Sequence, residues 1–491
     1  MAWIAIDAGT SIIKSVAFSA DGHELALSRA KTNVLHPRPE FSEQSMEEVW
    51  QAVCRTVREC ADMCGEAIEG LVTTAQGDGC WLVDANGQPV RDAILWNDAR
   101  AHAVVEKWRT QGIITEGFRI SGCVTYAGLA NAIAAWLNEE EPESLQRAAW
   151  ILSCNGWIVS RMTGRFMADL SDGSNPYGDV RTGEYSAELL RFYGRQEDVS
   201  LLPGIAKHAD LKAPLIAEAA QQMGLRSGIP VVMAPYDIIS TAYGCGASSV
   251  GQACVILGTT LCPEVITDDV DLTLEPAGTT IALGENRFLR AMPTLTGCEV
   301  IEWAARAMGC DSLYALEQIA AESISSAALP YFLPYLSLAG ERAPFLAPEA
   351  SGSFHDLTLT TSRNDIARSV YEGLSFVVCE CLQISSPRLH EVRVTGGGAK
   401  SNLWCQMIAD VTGLTVLRPE GNEQGARGAF IFSQAIERGV PLSQILDQMP
   451  LATTVFVPQE KERTLSQQRF QRWKRLRSIT SSTWSDLQGE Q

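Results

Sequence analysis

The chain has 491 residues, of which 46% are hydrophobic and 20% charged, values typical of a globular protein and not of a disordered one. This length exceeds what one hydrophobic core supports, so at least two sizeable domains are expected. The formal net charge of −19 makes nucleic acid and acidic membranes poor partners. An anionic ligand would need local backbone amides, a metal ion or a few placed cations.

The cysteines and the charge pattern predict a cytoplasmic protein without a membrane span. None of the 14 cysteines forms a Cys-x-x-Cys pair, which is typical of reduced thiols. Asp7 and Lys14 interrupt the first apolar stretch, so no export signal is expected. Residues 238–263 carry no charge, but their glycines and serines make them too polar to cross a bilayer.

The first two strands and the turn between them predict a site for a phosphate group. Trp3–Asp7 and Ile12–Phe18 have the composition of strands, with Gly9-Thr10-Ser11 between them, and Asp21-Gly22 predicts a hairpin after the second strand. The first turn can direct successive backbone N–H groups and two hydroxyls at an anion. A plain hairpin without a ligand is the alternative interpretation.

Two later loops offer the groups that would bind a polyhydroxylated molecule. The predicted strand Ile68–Ala75 leads into Gln76-Gly77-Asp78-Gly79, and a second loop, Ile94–Arg100, contains Trp96 and Asp98. Carboxylates, amides and an aromatic face are the groups that a sugar pocket uses. Each loop by itself is more typical of a surface turn.

The stretch Val231–Thr260 predicts a catalytic carboxylate. An apolar run delivers Asp237 into a segment rich in Ser, Thr and Gly, and a second apolar run, Ala253–Leu257, ends in Gly258-Thr259-Thr260. Proteins of the α/β class place catalytic groups in this way at the ends of strands. The alternative is a buried strand pair whose aspartate caps the next helix.

The second half of the chain repeats a pattern of the first half. Cys254–Gly258 parallels Ile4–Gly9, and each strand ends in Gly-Thr followed by another hydroxyl residue. Two such turns predict a duplicated fold with a nucleotide between two lobes, with Gly244–Gly251 as the hinge. A coincidence of short strings is the alternative.

A glycine-rich loop near the end of the chain predicts a further nucleotide contact. The strand Val392–Thr395 runs into Gly396–Ser401, and a helix follows that ends at Gly413. The loop is not a P-loop, because Ala399 precedes the lysine and Val394 occupies the position of the first glycine. Its three glycines still allow close approach of another surface, such as an adenosine.

The remaining segments are predicted from periodicity and composition. The predicted helices are Phe41–Cys64, capped by Ser45 or Ser42, Arg368–Leu382 and Glu460–Arg477, and Ser171–Gly183 is predicted to be an ordered loop. The helix Glu460–Arg477 is basic and amphipathic, so we expect it to pack on the acidic body of the protein and not on a membrane.

Taken in order, these motifs resemble the FGGY carbohydrate kinases of the actin/hexokinase-like superfamily, from residue 2 to about residue 440. The motifs are IAIDAGTSIIKS, AQGDG, AILWNDAR, the stretch around Asp237, LGTT, FLPYLSLAGERAP and VTGGGAKSNLWCQMIADVTG. Ile238-Ile239-Ser240, after Asp237, resembles the branch that includes L-xylulose and 3-keto-L-gulonate kinases. The resemblance implies an α/β fold of two actin-like (ribonuclease H-like) lobes around a catalytic cleft, at residues 1–247 and 248–440, with a helical tail at 441–491.

The resemblance also implies the reaction and its site. The γ-phosphate of ATP would pass to a hydroxyl of a ketopentose, a keto-sugar acid or a polyol, with ATP and Mg²⁺ as cofactors; homodimers are common in the family. Asp237 would be the base, and Asp7 would hold Mg²⁺, through water. The other implied contacts are Thr10, Ser11, Lys14, Gly258 and Thr259 to the phosphates, Gly397, Gly398 and Asn402 to the adenosine, and Gln76, Gly77, Asp78, Trp96 and Asp98 to the sugar.

Two other functions compete with that of a sugar kinase. A nucleotide-switched ATPase of the actin-like or chaperone type needs no small-molecule pocket, so the residues Gln76–Asp78 and Trp96–Asp98 disfavour it. A catalytically weakened sugar sensor is disfavoured because Asp7, Asp237 and both Gly-Thr turns are retained. The identity of the sugar and the oligomeric state stay open at this level.

Overall fold

Two large mixed β-sheets organise the computed structural model, which describes residues 1–273 and 275–484. The strands of the first sheet are β1 (Ala2–Ala8), β2 (Ile12–Ser19), β3 (Glu24–Lys31), β4 (Ile68–Ala75), β5 (Lys212–Pro214) and β6 (Pro230–Met233). Their spatial order is β5-β6-β4-β1-β2-β3. Because β1, β4 and β6 are parallel, their carboxyl ends meet at one edge of the sheet.

The second sheet repeats the start of the first. Its strands are β7 (Gln252–Leu257), β8 (Leu261–Thr267), β9 (Thr279–Gly284), β10 (Arg287–Ala291), β11 (Glu391–Thr395), β12 (Val416–Pro419) and β13 (Thr453–Phe456), in the spatial order β9-β10-β8-β7-β11-β12-β13. β7 is antiparallel to β8 and parallel to β11, as β1 is to β2 and β4. The predicted α/β fold with a duplicated strand–turn pattern is therefore confirmed.

Helices cover both sheets. They are α1 (Met46–Cys64), α2 (His102–Thr110), α3 (Ile113–Ser121), α4 (Ala130–Glu140), α5 (Pro142–Arg147), α6 (Cys154–Thr163), α7 (Leu170–Ser174), α8 (Ala187–Phe192), α9 (Ala217–Met223), α10 (Asp237–Gly244), α11 (Cys298–Ala307), α12 (Leu313–Glu322), α13 (Arg363–Ser385), α14 (Asn402–Thr412), α15 (Gln424–Arg438), α16 (Leu442–Gln448) and α17 (Glu460–Ser481). Among the described residues, no helix has both the length and the apolar character needed to cross a membrane.

Local sequence signals explain where several of these helices begin and end. The Ser45 hydroxyl caps α1 by accepting from the Glu48 N–H, and Gly65 ends the helix in the left-handed conformation at φ 68°. Ser401 and Gly413 do the same for α14. These bounds confirm the predictions made from the capping residues and the apolar spacing.

The predicted loop Ser171–Gly183 is wrong in its first part, where the chain forms the short helix α7. Asp169 makes this helix possible, because its carboxylate accepts hydrogen bonds from the backbone N–H groups of Ser171 and Asp172. The high content of Gly, Ser, Asn and Asp predicted irregular structure, and the cap overrides that preference.

Two helices are exchanged between the lobes; we call the residues before the Gly244–Gly251 connection the first lobe and those after it the second lobe. α10 follows β6 of the first sheet but packs Ile239 and Ala242 into a core with residues of the second sheet. α15 follows β12 of the second sheet but packs Ala429 and Phe430 against the first sheet. The exchange brings the beginnings of both helices to the space between the sheets.

Glycines allow these two helices to touch along their backbones. A Cβ added to Gly244 would lie 1.8 Å from the carbonyl oxygen of Gln424, and one added to Gly428 would lie 1.7 Å from that of Ser240. Contacts this short exclude any side chain at the two glycines. The crossing point of α10 and α15 is therefore fixed by glycine on both helices.

The lobes also meet at the edge strand β9. Thr280 donates its N–H to the Gly122 carbonyl at 2.8 Å, and the N–H of Val124 reaches the Gly278 carbonyl at 3.1 Å. These backbone bonds continue the second sheet into the first lobe on one side of the molecule, which leaves the other side open as a cleft.

The basic helix of the tail, α17, packs on the second lobe. Phe470 and Trp473 are buried in its hydrophobic core, and Arg469 forms a buried ion pair with Glu372 at 2.6 Å. The end of the tail that the resemblance implied, residues 485–491, lies outside the described residues.

Candidate active site

Asp7 and Asp237 lie close to each other between the lobes. Asp7 is near the end of β1, and Asp237 is the first residue of α10, whose cap position is Tyr236. In the described structure no side chain caps the start of α10, which disfavours the alternative interpretation of Asp237 as a capping residue. The exchanged helix α15 closes the site: a Cβ added to Gly425 would lie 2.9 Å from Asp7 Oδ2 and 3.5 Å from Thr241 Oγ1.

Burial controls the protonation of these two carboxyl groups. It raises the pKa of Asp237 to about 7, and the charges of Asp7 and Asp78 add to the rise. Burial also raises the pKa of Asp7 to about 6, where the charge of Lys14 opposes the rise and that of Glu423 adds to it. Asp237 can therefore hold or release a proton near neutral pH.

The first Gly-Thr turn is tied to two residues of the predicted sugar pocket. Thr10 Oγ1 donates to Gln76 Oε1 at 2.6 Å and accepts from Trp96 Nε1 at 3.0 Å. Gln44, which the sequence did not single out, bonds both Gln76 Nε2 and the Thr10 carbonyl. The Thr10 hydroxyl therefore links the first Gly-Thr turn to the predicted sugar pocket, and Ser11 beside it is exposed.

Lys14 lies opposite Asp7 in the β1–β2 pair, but its ammonium group contacts a different carboxylate. Lys14 Nζ is 2.8 Å from Glu423 Oε2, and Arg29 Nη2 is 3.5 Å from Glu423 Oε1. Glu423 directly precedes α15 and belongs to the other half of the chain. No motif marked it in the sequence, since the contact exists only because α15 crosses to the first sheet.

The second Gly-Thr turn and the glycine-rich loop lie next to each other at the end of β7. A Cβ on Gly398 would lie 2.4 Å from the Trp404 ring and 3.0 Å from Leu257 Cβ, whereas one on Gly397 would meet no atom within 4 Å. Gly258 and Thr259 accept backbone bonds from Cys298 and Glu299, at the start of α11.

The amide of Asn402 points to a cation of the neighbouring strand. Asn402 Oδ1 accepts from Arg418 Nη1 at 2.9 Å. Gly396, at φ 91°, lies against the backbone of Leu257, where an added Cβ would come within 2.7 Å of the carbonyl oxygen. The structure thus brings Gly397, Gly398 and Asn402 together beside the second Gly-Thr turn.

Asp78 is held in place by two side-chain hydrogen bonds. Tyr126 Oη donates to Asp78 Oδ2 at 2.7 Å, and Asn175 Nδ2 donates to Oδ1 at 2.8 Å. Gly77 lies against the ring of Tyr236, where a Cβ would approach to 2.8 Å. Burial raises the pKa of Asp78, and the hydrogen bond from Tyr126 partly offsets that rise.

The second lobe contributes a cation to this pocket. Arg342 lies over the Tyr126 ring, 5.4 Å from its centroid, and donates Nε to the Pro293 carbonyl at 2.9 Å. Its charge also opposes the raised pKa of Asp78. The GERAP motif contains Arg342, but nothing in the sequence connected that motif with the loop at Asp78.

Asp98 is the one predicted pocket residue that the structure places in a different setting. Its carboxylate accepts from Arg100 Nε at 2.9 Å, from Arg100 Nη2 at 2.8 Å and from the Ser42 N–H at 2.7 Å. Both side chains of this ion pair have no exposed area. Asp98 thus anchors the loop that carries Trp96, while Trp96 itself reaches Thr10.

Comparison with known proteins assigns the family. The model of the FGGY family of carbohydrate kinases, N-terminal domain, matches residues 2–244, and that of the C-terminal domain matches residues 255–435. The chain belongs to the FGGY family of carbohydrate kinases. This FGGY kinase is a phosphotransferase with an alcohol acceptor, which passes a phosphoryl group from ATP to a sugar hydroxyl. The predicted family and enzyme class are confirmed.

Curated relatives of the kinase carry the names of the predicted branch. It is 29% identical to L-xylulose/3-keto-L-gulonate kinase of Escherichia coli (strain K12) over 488 residues, which is 96% of each chain. It is 26% identical over 485 residues to the probable L-xylulose kinase of Haemophilus influenzae, covering 96% of this chain and 97% of the other.

Solved structures confirm the fold. Gluconate kinase from Lactobacillus acidophilus superposes with a TM-score of 0.92 at 20% identity, and each chain is covered to 99%. A ligand-bound xylulose kinase from the same organism gives a TM-score of 0.91 at 20% identity with the same coverage. The FGGY kinase therefore has the two actin-like lobes that the resemblance implied.

Proposed function

We propose that Asp237 is the general base that takes the proton from the sugar hydroxyl during phosphoryl transfer. The observation that carries this proposal is the position of its buried carboxyl group between Asp7 and Asp78, with a pKa of about 7. A general base acts best when its pKa is close to the working pH. The parallel ends of β1, β4 and β6 would hold the base, the phosphate turn and the sugar loop in one place.

The residues around Asp7 fit an Mg²⁺ ion and the phosphates of ATP. Asp7 Oδ2 lies in a space that only a glycine at position 425 leaves open, and carboxylate oxygens are preferred ligands of Mg²⁺. Asp7 would hold the ion through water. When bound, Mg²⁺ would neutralise charge on the phosphates. The side chain of Lys14 and the backbone N–H groups of the turn Thr10-Ser11 would bind the same phosphates from the first lobe.

The second lobe would bind the rest of the nucleotide. The N–H groups of Gly258 and Thr259 would face the phosphates across the cleft from the first turn. Gly397, Gly398 and Asn402 would line the adenosine, because there is open space where a Cβ of residue 397 would lie.

The acceptor is an uncharged ketopentose or polyol and not a keto-sugar acid. Asp78, Asp172 and Asp237 surround the pocket with carboxyl groups whose pKa values burial raises, and Asp78 adds to the rise at both of the other two. The charge of Arg342, which lies over the Tyr126 ring, opposes the rise at Asp78 but not at Asp172 or Asp237. A ligand carboxylate would bring a further negative charge into a pocket where burial and the neighbouring carboxyl groups already disfavour negative charge. Gln76, Gly77 and Trp96 would complete the contacts to the sugar.

Further proposals concern the organisation of the kinase. We propose the division into residues 1–247, 248–440 and 441–491, a cytoplasmic location and a homodimer. Light scattering on the purified full chain tests the dimer, since a mass near twice 53.3 kDa is expected.

A coupled assay of ADP release tests the substrate proposal. D-xylulose, L-xylulose and erythritol are compared with 3-keto-L-gulonate and gluconate at equal concentrations. We expect kcat/KM to be higher for a neutral compound than for either acid. A higher value for an acid contradicts the charge argument, and ATP hydrolysis that no sugar changes would favour a nucleotide-switched ATPase.

A further inference from the structure

A second cavity lies between the lobes, with Pro235, two residues before Asp237, in its wall. It has a volume of about 760 Å³, and the rest of its walls come from residues within the segments 169–171, 180–183, 206–211, 282–288 and 432–442, together with Tyr243. None of the residues assigned above to sugar, phosphate or adenosine lines it. Along α15, ten residues separate Gly425, beside Asp7, from Ala435 in this cavity, which corresponds to about 15 Å of helix.

The walls of this interlobe cavity are mostly apolar. The rings of Tyr243 and Phe432 stack at 6.4 Å with an angle of 6° between their planes, and Leu283 and Ile436 also line the cavity. A cavity of several hundred Å³ with apolar walls and a few polar groups has the size and character of a small-molecule site.

The charged groups of the cavity include more cations than anions. Arg181, Lys207 and Arg287 line it, against the carboxylates of Asp169 and Glu285. Asp169 is occupied in capping α7, where both of its oxygens accept hydrogen bonds. The cavity therefore has one more basic than acidic side chain, in a chain whose formal net charge is −19.

The cations of the cavity are weakly held by their present partners. Lys207 contacts Glu184, which is outside the cavity, and the two side chains are 43% and 63% exposed. Arg287 contacts Glu285 at 3.0 Å, and that glutamate is 72% exposed. Exposed pairs of this kind contribute little stability, so a ligand anion can replace either carboxylate. Within the described residues, Arg287 Nε is also buried without a hydrogen-bond partner.

We propose that the interlobe cavity is a second ligand site, which binds a small amphiphilic anion. An apolar body would lie against Tyr243, Phe432 and Leu283, and a carboxylate, sulfonate or phosphate group would lie among the cations. Burial of the apolar body would supply most of the affinity, and the cations would supply the preference for negative charge.

The cavity is connected to the active site through one hydrogen bond. Ser171, in the cavity wall, accepts the N–H of Tyr236 at 3.2 Å and donates to Asp169 at 2.6 Å. Tyr236 directly precedes Asp237. A ligand in the cavity would therefore contact the residue that fixes the backbone next to the proposed base.

The probe 8-anilinonaphthalene-1-sulfonate tests the proposal, because it is an amphiphilic anion whose fluorescence rises in apolar sites. The full chain is titrated in saturating ATP, so that the nucleotide site is filled. We expect one saturable site, from which decanoate displaces the probe and decyltrimethylammonium does not. The proposal is overturned if decyltrimethylammonium displaces the probe as readily as decanoate does. It is also overturned if the addition of ATP abolishes binding of the probe.

A charge-reversed variant locates the site. The double variant Arg181→Glu/Lys207→Glu changes two exposed side chains, and we expect it to weaken binding of the probe at least tenfold. The control Arg55→Glu/Lys107→Glu makes the same change in charge on exposed residues outside the cavity and is expected to bind as the native chain does. Unchanged affinity in the first variant rejects the assignment. If its melting temperature falls, the single variant Arg181→Gln replaces it, with a weaker but measurable loss expected.

Discussion

The ammonium group of Lys14, on the first lobe, lies 2.8 Å from the carboxylate of Glu423, on the second lobe. Lys14 is the side chain proposed to bind the phosphates of ATP. A phosphate that enters the cleft must therefore take Lys14 from a carboxylate that already neutralises it. Glu423 also adds to the raised pKa of Asp7. The same carboxylate therefore affects both Lys14, the proposed phosphate ligand, and Asp7, the proposed metal ligand.

Removing the charge of Glu423 should tighten binding of ATP. In Glu423→Gln, Lys14 loses its competing partner, and the gain should be close to the value of one ion pair, about 1 kcal/mol or about fivefold in Kd. Isothermal titration with ATP, without a sugar, measures it. Arg29→Gln is the control, because Arg29 contacts the same carboxylate at 3.5 Å and is not assigned to the phosphates. Weaker binding in Glu423→Gln would instead make this carboxylate part of the metal site.

Local signals were sufficient to predict much of the fold. The strand Ile68–Ala75 has the predicted bounds because glycines and a change of composition mark both ends. α1 starts directly after Ser45, one of its two predicted caps. The resemblance placed Asp7 and Asp237 in one cleft, and in the structure the charge of Asp7 adds to the raised pKa of Asp237.

The residues that the sequence did not predict are those whose role depends on contacts between distant segments. Glu423 reaches Lys14 only because α15 crosses to the first sheet, and Arg342 reaches Tyr126 only because the lobes face each other. No periodicity or local motif contains that information. Asp98 shows a different case, since its motif suggested a pocket and the structure pairs its carboxylate with Arg100, two residues away in the same loop.

Substitution of Asp237 should remove the chemical step and leave nucleotide binding intact. Asp237→Asn keeps the shape of the side chain and removes the proton acceptor, and loss of a general base typically lowers the rate by about 10²–10⁴. Steady-state kinetics on the best sugar of the screen should show this fall in kcat, with the Kd for ATP unchanged. Near-normal kcat would reject the role of base.

Asp7 should respond differently from Asp237, because it is assigned to the metal ion. In Asp7→Asn the Mg²⁺ concentration that gives half-maximal activity should rise, and ATP titrated without Mg²⁺ should bind as it does to the native chain. Equilibrium titration with Mn²⁺, followed by electron paramagnetic resonance, gives a readout independent of activity. Equal Mn²⁺ affinity in the variant and the native chain would remove Asp7 from the metal site.

The raised pKa of Asp237 predicts a pH dependence of stability as well as of rate. The folded-state value of about 7 lies above the unfolded value of about 3.9, so between these pH values the folded chain holds the extra proton and stability falls as pH rises. Three pKa units correspond to at most about 4 kcal/mol. Asp237→Asn should therefore melt higher than the native chain at pH 8 and close to it near pH 4, the unfolded-state pKa. A constant difference between the two at both pH values would contradict the raised pKa.

Substitution of Asp98 should lower the stability of the fold, whereas substitution of Asp78 should weaken binding of the sugar. Asp98→Ala breaks the buried ion pair with Arg100, which keeps Glu43 as its second carboxylate, so we expect a loss at the lower end of the about 3–5 kcal/mol typical of a broken buried pair. Asp78→Asn keeps the shape of the side chain and still accepts one hydrogen bond from Tyr126 or Asn175, so it should raise KM for the sugar with a small change in stability. Chemical denaturation and sugar kinetics on both variants measure the contrast. If Asp98→Ala melts as the native chain does and loses only sugar affinity, Asp98 belongs in the pocket, as the motif first suggested.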